Sequence, residues 1–156
     1  DVKLEYLGRS WRTVKFELGH NEIDDAVEPE LRLAADLVEL FTDLGFPAPD
    51  PIPVLRADHQ VAQKLHAVSE PGSDRVRDLV DLQLLDKHEE LDLGQLRATC
   101  LRLFDYRRLH SWPPSVELGV GWDGLYEAAT EGVDVLPEVG DAVAWANGLI
   151  TRIAEG

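Results

Sequence analysis

A lysine, two arginines and three aspartates fall within two short segments, residues 60–67 (QVAQKLHA) and 74–82 (DRVRDLVDL). Both segments otherwise read as buried helix. Val61, Ala62, Leu65 and Val68 recur at helical spacing, which sets Lys64 beside the apolar stripe rather than on a solvated face. Asp58 is the expected N-cap of this helix. Glu70, Pro71, Gly72 and Ser73 break it, and Ser73 or Asp74 is placed to cap the next. There Val76, Leu79, Leu82 and Leu85 form the apolar face. Arg77, Asp78 and Asp81 run along its margin, with the two aspartates three residues apart and so neighbours. A cation on one helix and carboxylates on the next thus converge across a short turn. Two kinds of chemistry fit. One is an ion-pair cluster of the sort any acidic helical hairpin carries; the other is a fixed positive charge for phosphate. A lysine on a buried margin and a tandem Arg77-Asp78 are unusual choices for mere solvation.

The elements around these residues read as follows. Residues 2–18 suggest an antiparallel hairpin. Val2, Leu4 and Tyr6 alternate in its first strand, a turn covers Leu7 to Ser10, and Thr13, Val14, Phe16 and Leu18 continue the second strand beyond Trp11. Strand alternation sends Glu17 to the face opposite Phe16 and Leu18. Residues 20–29, with Glu22, Asp24, Asp25 and Glu28, read as a solvated acidic loop. A helix is expected after Pro29, with Leu31, Ala34, Ala35, Val38 and Phe41 inward and an end at Gly45. A proline-rich connector leads to a short strand at Ile52–Leu55, which Pro53 restricts to an edge or an end.

Beyond Asp86 the chain reads as helical. Asp92 and Gln95 form a capping-box pair ahead of Leu96, Cys100, Leu103 and Phe104. Arg97, Arg102, Arg107 and Arg108 occupy the other side of that helix, which ends in His110. With Arg75 and Arg77 they are candidate phosphate contacts, although Arg107 and Arg108 also suit a helix C-terminus. Two further helices are expected at 123–131 and 137–153. Trp112, Trp122 and Trp145 read as core anchors. Five scattered histidines offer no zinc spacing, and His66 is a weaker candidate for substrate contact.

Composition bounds the function. Hydrophobic residues make up 44% and charged residues 29%, so the chain can build a soluble core. Thirty acidic residues against fifteen basic ones give a net charge of −15, which argues against non-specific duplex binding and suits a basic partner. A single cysteine, Cys100, excludes an internal disulfide and suits the cytoplasm. No apolar run is long enough to span a membrane.

The pattern A-x-K-L-x-A over residues 62–67, then R-D-x-x-D-L over 77–82 after a short turn, resembles the AbiEii/AbiGii-type nucleotidyltransferase toxins of bacterial toxin–antitoxin systems. The resemblance extends over nearly the whole chain, although its specific part is confined to Lys64-Leu65, Arg77-Asp78 and Asp81-Leu82. It implies an α+β fold. Residues 1–56 would be the remainder of a nucleotidyltransferase sheet, the N-terminal hairpin and short strand. Residues 57–156 would be a mostly helical bundle carrying the K…RDxxDL hairpin.

The resemblance also implies roles. Lys64 would be a point charge on a nucleoside triphosphate, with Mg2+ as cofactor. Asp78 would position Lys64 or help activate the incoming hydroxyl, and Arg77, with Arg75 and Arg102, would hold phosphate. Asp81 would be structural support, and Glu17 a third metal carboxylate. The substrate implied is the 3′ acceptor end of tRNA, with a block of translation as the result, and the partner a cognate antitoxin. The family's G-S turn and D-x-D pair do not occur in this sequence, so the chain is expected to be the C-terminal portion of such an enzyme and inactive alone. Two other readings follow from that departure: an inactive antitoxin-docking or regulatory module, and nucleotidyl or phosphoryl transfer to a protein hydroxyl.

Overall fold

The structure, a computed structural model, describes residues 1–15, 19–24 and 27–156. Glu17 lies outside the described residues, as do Phe16, Leu18 and Asp25. Two small antiparallel sheets and six helices make an α+β fold. Their order is β1 (Val2–Tyr6), β2 (Arg9–Val14), β3 (Glu30–Arg32), α1 (Ala35–Asp43), β4 (Ile52–Val54), α2 (Ala57–Val68), α3 (Arg77–His88), α4 (Leu93–Arg107), α5 (Trp122–Thr130) and α6 (Val139–Glu155).

The core belongs to the helices. Val61, Ala62 and Leu65 of α2 and Leu79 and Leu82 of α3 are fully buried. They meet Leu96 and Cys100 of α4, Tyr126 of α5, and Ala142, Ala146 and Ile153 of α6. Each such leucine stabilises by roughly 1.5–3 kcal/mol relative to an exposed position. The apolar periodicity of residues 61–68 and 76–85 therefore faces the interior as its spacing requires, which leaves Lys64, Asp78 and Asp81 at the seam between α2 and α3. Trp122 is buried, while Trp112 and Trp145 pack against the same core. Cys100 is enclosed as well, and burial pushes its thiol up to about 12.

The first third of the chain departs from expectation in several places. The second hairpin strand begins at Arg9, not at Trp11, because Leu7 and Gly8 alone make the turn, both with positive φ. Leu4 pairs with Arg12 and Glu5 with Ser10, so Trp11 is the extra residue of a β-bulge. The segment after Pro29 starts as strand: Glu30–Arg32 pairs with Ile52–Val54, with Pro53 opposite Leu31. Helix α1 follows only from Ala35, and it buries none of its residues. Its end is as expected. Gly45, at φ 73°, donates to the Thr42 carbonyl and Phe46 donates to that of Phe41, the two bonds of a glycine-terminated helix.

The caps also differ. Arg56, not Asp58, occupies the N-cap of α2, and Asp58 sits inside the first turn. Val76 precedes α3 with no side-chain cap, while the Ser73 hydroxyl accepts from Arg75 N. Asp92 does cap α4, accepting from Gln95 N. The Gln95 side chain turns away to Asp58 instead of closing the box. Among the described residues no helix is long and apolar enough to cross a membrane.

Candidate functional site

The turn between α2 and α3 brings Lys64 and the aspartates together. Lys64 Nζ donates to Asp78 Oδ1 at 3.1 Å and to Asp81 Oδ2 at 2.6 Å. Arg75 Nε donates to the other oxygen of Asp78, Oδ2, at 2.9 Å. Asp78 is therefore clamped from both sides, and its side chain is only 4% exposed. Lys64 is 24% exposed and Asp81 35%. A buried carboxylate without such partners would be strongly destabilising, so the two cations are what permits Asp78 to sit there. In return the carboxylate raises the Arg75 pKa, chiefly through the hydrogen bond itself.

Lys64, Arg75 and Asp78 line an open cleft of about 770 Å³. Gln60, Gln63 and Ala67 of α2, Val54 and Leu55 at the end of β4, Glu70 and Arg107 share its wall. A second cleft of about 410 Å³ lies on the other side of Lys64, against Asp81, Leu84, Leu85 and His88. Lys64 thus stands between two concave surfaces, with Asp78 on one side and Asp81 on the other.

The remaining candidates are distributed unevenly. Arg77 is exposed at the start of α3 and has no ion-pair partner among the described residues. Arg102 is not in this cleft. It donates to the Ile23 carbonyl at 2.6 Å and lines a separate hollow with Arg56, Asp58 and Thr99. Burial there raises the Asp58 pKa, but hydrogen bonds from Thr99, Arg56 and Gln95 outweigh it and hold the carboxyl below its ordinary value. His66 does not reach a substrate surface. It is buried in the core beside Phe104 and His110, with both ring nitrogens unpartnered.

Arg107 is the cleft residue whose role sequence spacing does not reveal. It closes a bidentate pair on Glu22, with Nη2 to Oε2 at 2.5 Å and Nε to Oε1 at 3.1 Å. Glu22 belongs to the segment expected to be a solvated acidic loop. It is instead anchored, and its neighbour Ile23 packs on the core. Eighty-five residues separate the partners, so no local pattern announces the contact.

Chemically, the cluster presents an ammonium held by two carboxylates of unequal exposure. It does not present a metal cage. The described oxygens of Asp78 and Asp81 that face inward are taken by Lys64 and Arg75, and among the described residues no group of three His, Cys, Asp or Glu side chains converges.

No curated protein matches the chain. The family model described as nucleotidyl transferase AbiEii toxin, type IV toxin–antitoxin system, matches residues 2–144, and so spans both sheets, the Lys64–Asp78–Asp81 cluster and the start of α6. With that much of the chain matched, and with the charged seam inside the matched region, the protein belongs to the AbiEii family of nucleotidyl transferase toxins of type IV toxin–antitoxin systems.

Proposed function

We propose that this chain carries the lysine–aspartate part of a site that transfers a nucleotide from a nucleoside triphosphate to the 3′ acceptor end of tRNA, in the cytoplasm, so blocking translation until a cognate antitoxin intervenes. The observation that supports this reading most is the position of Lys64, a cation at the mouth of a cleft and held by two carboxylates. Asp78 is buried and kept in place by Arg75, whereas Asp81 is more exposed and holds Lys64 alone. A triphosphate entering the cleft competes with Asp81 for Nζ, while Asp78 keeps the lysine aimed. The ammonium then neutralises charge building on the departing pyrophosphate, which is the main service a protein gives phosphoryl-type transfer. Arg77, unpaired at the helix start, is free to meet a phosphate oxygen.

Mg2+ travels with nucleoside triphosphates and supplies further charge neutralisation when bound. Among the described residues, the Lys64–Asp78–Asp81 cluster leaves no set of vacant carboxylates for a resident ion. Glu17 stays a proposed metal carboxylate on the family resemblance alone, and residues 1–56 and 57–156 remain the proposed division into sheet remainder and helical region.

The test is incubation of the protein with each α-labelled nucleoside triphosphate, Mg2+ and total tRNA. Ribonuclease-sensitive label that disappears in Lys64→Ala and Asp78→Ala supports the proposal. Protease-sensitive label would instead place the transfer on a protein hydroxyl. No label from any sample would leave the antitoxin-docking reading in its place.

A further inference from the structure

A protein with a net charge of −15 that acts on RNA needs a place for the polyanion to land, and the cations of the helical region are largely committed elsewhere. Arg32 is tied to Glu30 and Glu89, Arg56 to Asp58, Arg75 to Asp78, Arg107 to Glu22 and Arg152 to Asp86. Lys64 and Lys87 are paired as well.

Arg77, Arg97, Arg102 and Arg108 make no ion pair among the described residues but are spread along α3 and α4, whereas the β1–β2 hairpin gathers its cations in one short ribbon. Residues 1–15 carry Lys3, Arg9, Arg12 and Lys15 against only Asp1 and Glu5, a net +2. The side chains of Lys3, Arg9 and Arg12 make no hydrogen bond or ion pair among the described residues. Among those residues no other helix or strand packs on the hairpin. Two aromatic rings stand open on it: Trp11 is 70% exposed and Tyr6 68%. Cross-strand partners share a face, so Tyr6 with Arg9 and Leu4 with Arg12 alternate along one side. The bulge gives Trp11 a direction of its own at the same edge.

From this juxtaposition we infer that the β1–β2 hairpin is a docking ribbon for an unpaired RNA strand, with Trp11 and Tyr6 stacking on bases and Arg9 and Arg12 meeting phosphates. Interleaved cations and exposed rings are the recurring chemistry of single-strand binding. Open π-faces require unstacked bases, which a duplex does not offer and the end of a folded RNA does. A duplex also needs a broader basic surface than one hairpin supplies. The choice of a tRNA end as the strand rests on the function proposed above; the ribbon itself does not.

The experiment measures fluorescence anisotropy of a labelled single-stranded oligoribonucleotide, and of labelled tRNA, over a salt series. Wild type, Trp11→Ala, Trp11→Phe, the double variant Arg9→Gln/Arg12→Gln and Lys64→Ala are compared, with circular dichroism verifying the helical core. Trp11→Ala is expected to weaken binding by about ten-fold or more, with Trp11→Phe retaining most of it. The double variant is expected to flatten the slope of log affinity against log salt by about 1.4, for two lost phosphate contacts on a single strand. Lys64→Ala keeps its RNA affinity even where it loses transfer.

Affinity and slope unchanged in both hairpin variants overturn the ribbon while leaving the transfer reading intact. Absence of RNA binding by wild type overturns it outright. If the hairpin variants change the mass of the protein in solution but not its RNA affinity, the surface serves self-association and the inference is wrong. Transfer found only on protein, with the hairpin effects on RNA binding present, removes the transfer reading and leaves the ribbon.

Discussion

Lys64 Nζ and Asp78 Oδ1 lie 3.1 Å apart across the α2–α3 seam, and the carboxylate side of that pair is almost fully enclosed. The pair is asymmetric. Removing the lysine leaves Asp78 with Arg75 alone, whereas removing Asp78 strips both cations of their shared partner. Asp81 adds a contact at a site where solvent competes for both charges.

That asymmetry predicts an order of stabilities. Asp78→Ala should cost roughly 2–4 kcal/mol, near the figure for breaking a buried pair, and Asp81→Ala at most about 1 kcal/mol. Urea midpoints of the two variants check this directly. Equal losses would mean that Asp78 draws no more from its partners than an exposed residue does.

The second prediction concerns Arg107 and Glu22, whose bidentate bond fastens the acidic segment to the end of α4. Glu22→Gln and Arg107→Gln should each loosen that segment, and the double variant should be little worse than either single one. A coupling of about 1 kcal/mol in a double-mutant cycle is expected for a half-buried pair. Hydrogen exchange at residues 19–24 should rise in all three proteins. Unchanged exchange would show that Ile23 alone holds the segment.

His66 predicts a pH dependence. Burial, aided by the nearby positive charge of Arg107 and by His110, lowers its pKa from 6.5 to about 4. The unfolded chain therefore binds this proton more readily than the native one between those values. Stability is complete above about pH 6.5 and declines as pH falls through the window towards 4, by at most about 3 kcal/mol from this group. His110, also lowered mainly by burial, adds in the same direction. His66→Leu should flatten the melting-temperature profile between pH 4 and 6.5, and it removes both unpartnered nitrogens of His66. A profile as steep as that of wild type would assign the acid sensitivity to other groups.

Tyr126 closes a buried ring of bonds that joins α3, α5 and the segment before α6. Gln83 Nε2 donates to its hydroxyl at 2.9 Å, the hydroxyl donates to the Leu136 carbonyl at 2.7 Å, and Leu136 N donates to Gln83 Oε1 at 2.9 Å. Tyr126→Phe leaves one donor and one acceptor unsatisfied, at a cost of about 1–3 kcal/mol. Gln83→Leu should cost at least as much, because it strands Leu136 N and takes away the donor to the tyrosine hydroxyl, which keeps only its bond to the Leu136 carbonyl. Thermal unfolding of both variants decides the point.

Local pattern was enough to place α2, α3, α4 and α6 and to set Lys64, Asp78 and Asp81 at the edge of their apolar faces. Helical periodicity is a property of neighbours three and four residues apart, and the buried residues 61–68 and 76–82 obey it. The same logic misjudged residues 30–32. Their strand exists only because β4 lies alongside, and a partner about twenty residues downstream leaves no local mark. It also counted the α1 stripe as inward, although that helix buries none of its residues.

The sequence by itself determined which charged residues lie beside the apolar faces and which helices bear them, because spacing along a helix dictates the face a side chain takes. Only the tertiary structure decided how those charges are shared. Asp78 is clamped by Lys64 and Arg75, Arg107 is spent on Glu22, Arg102 points to another hollow, and His66 is shut in the core. Long side chains choose partners by distance in the folded chain, and that distance is set by the packing of helices far apart in sequence.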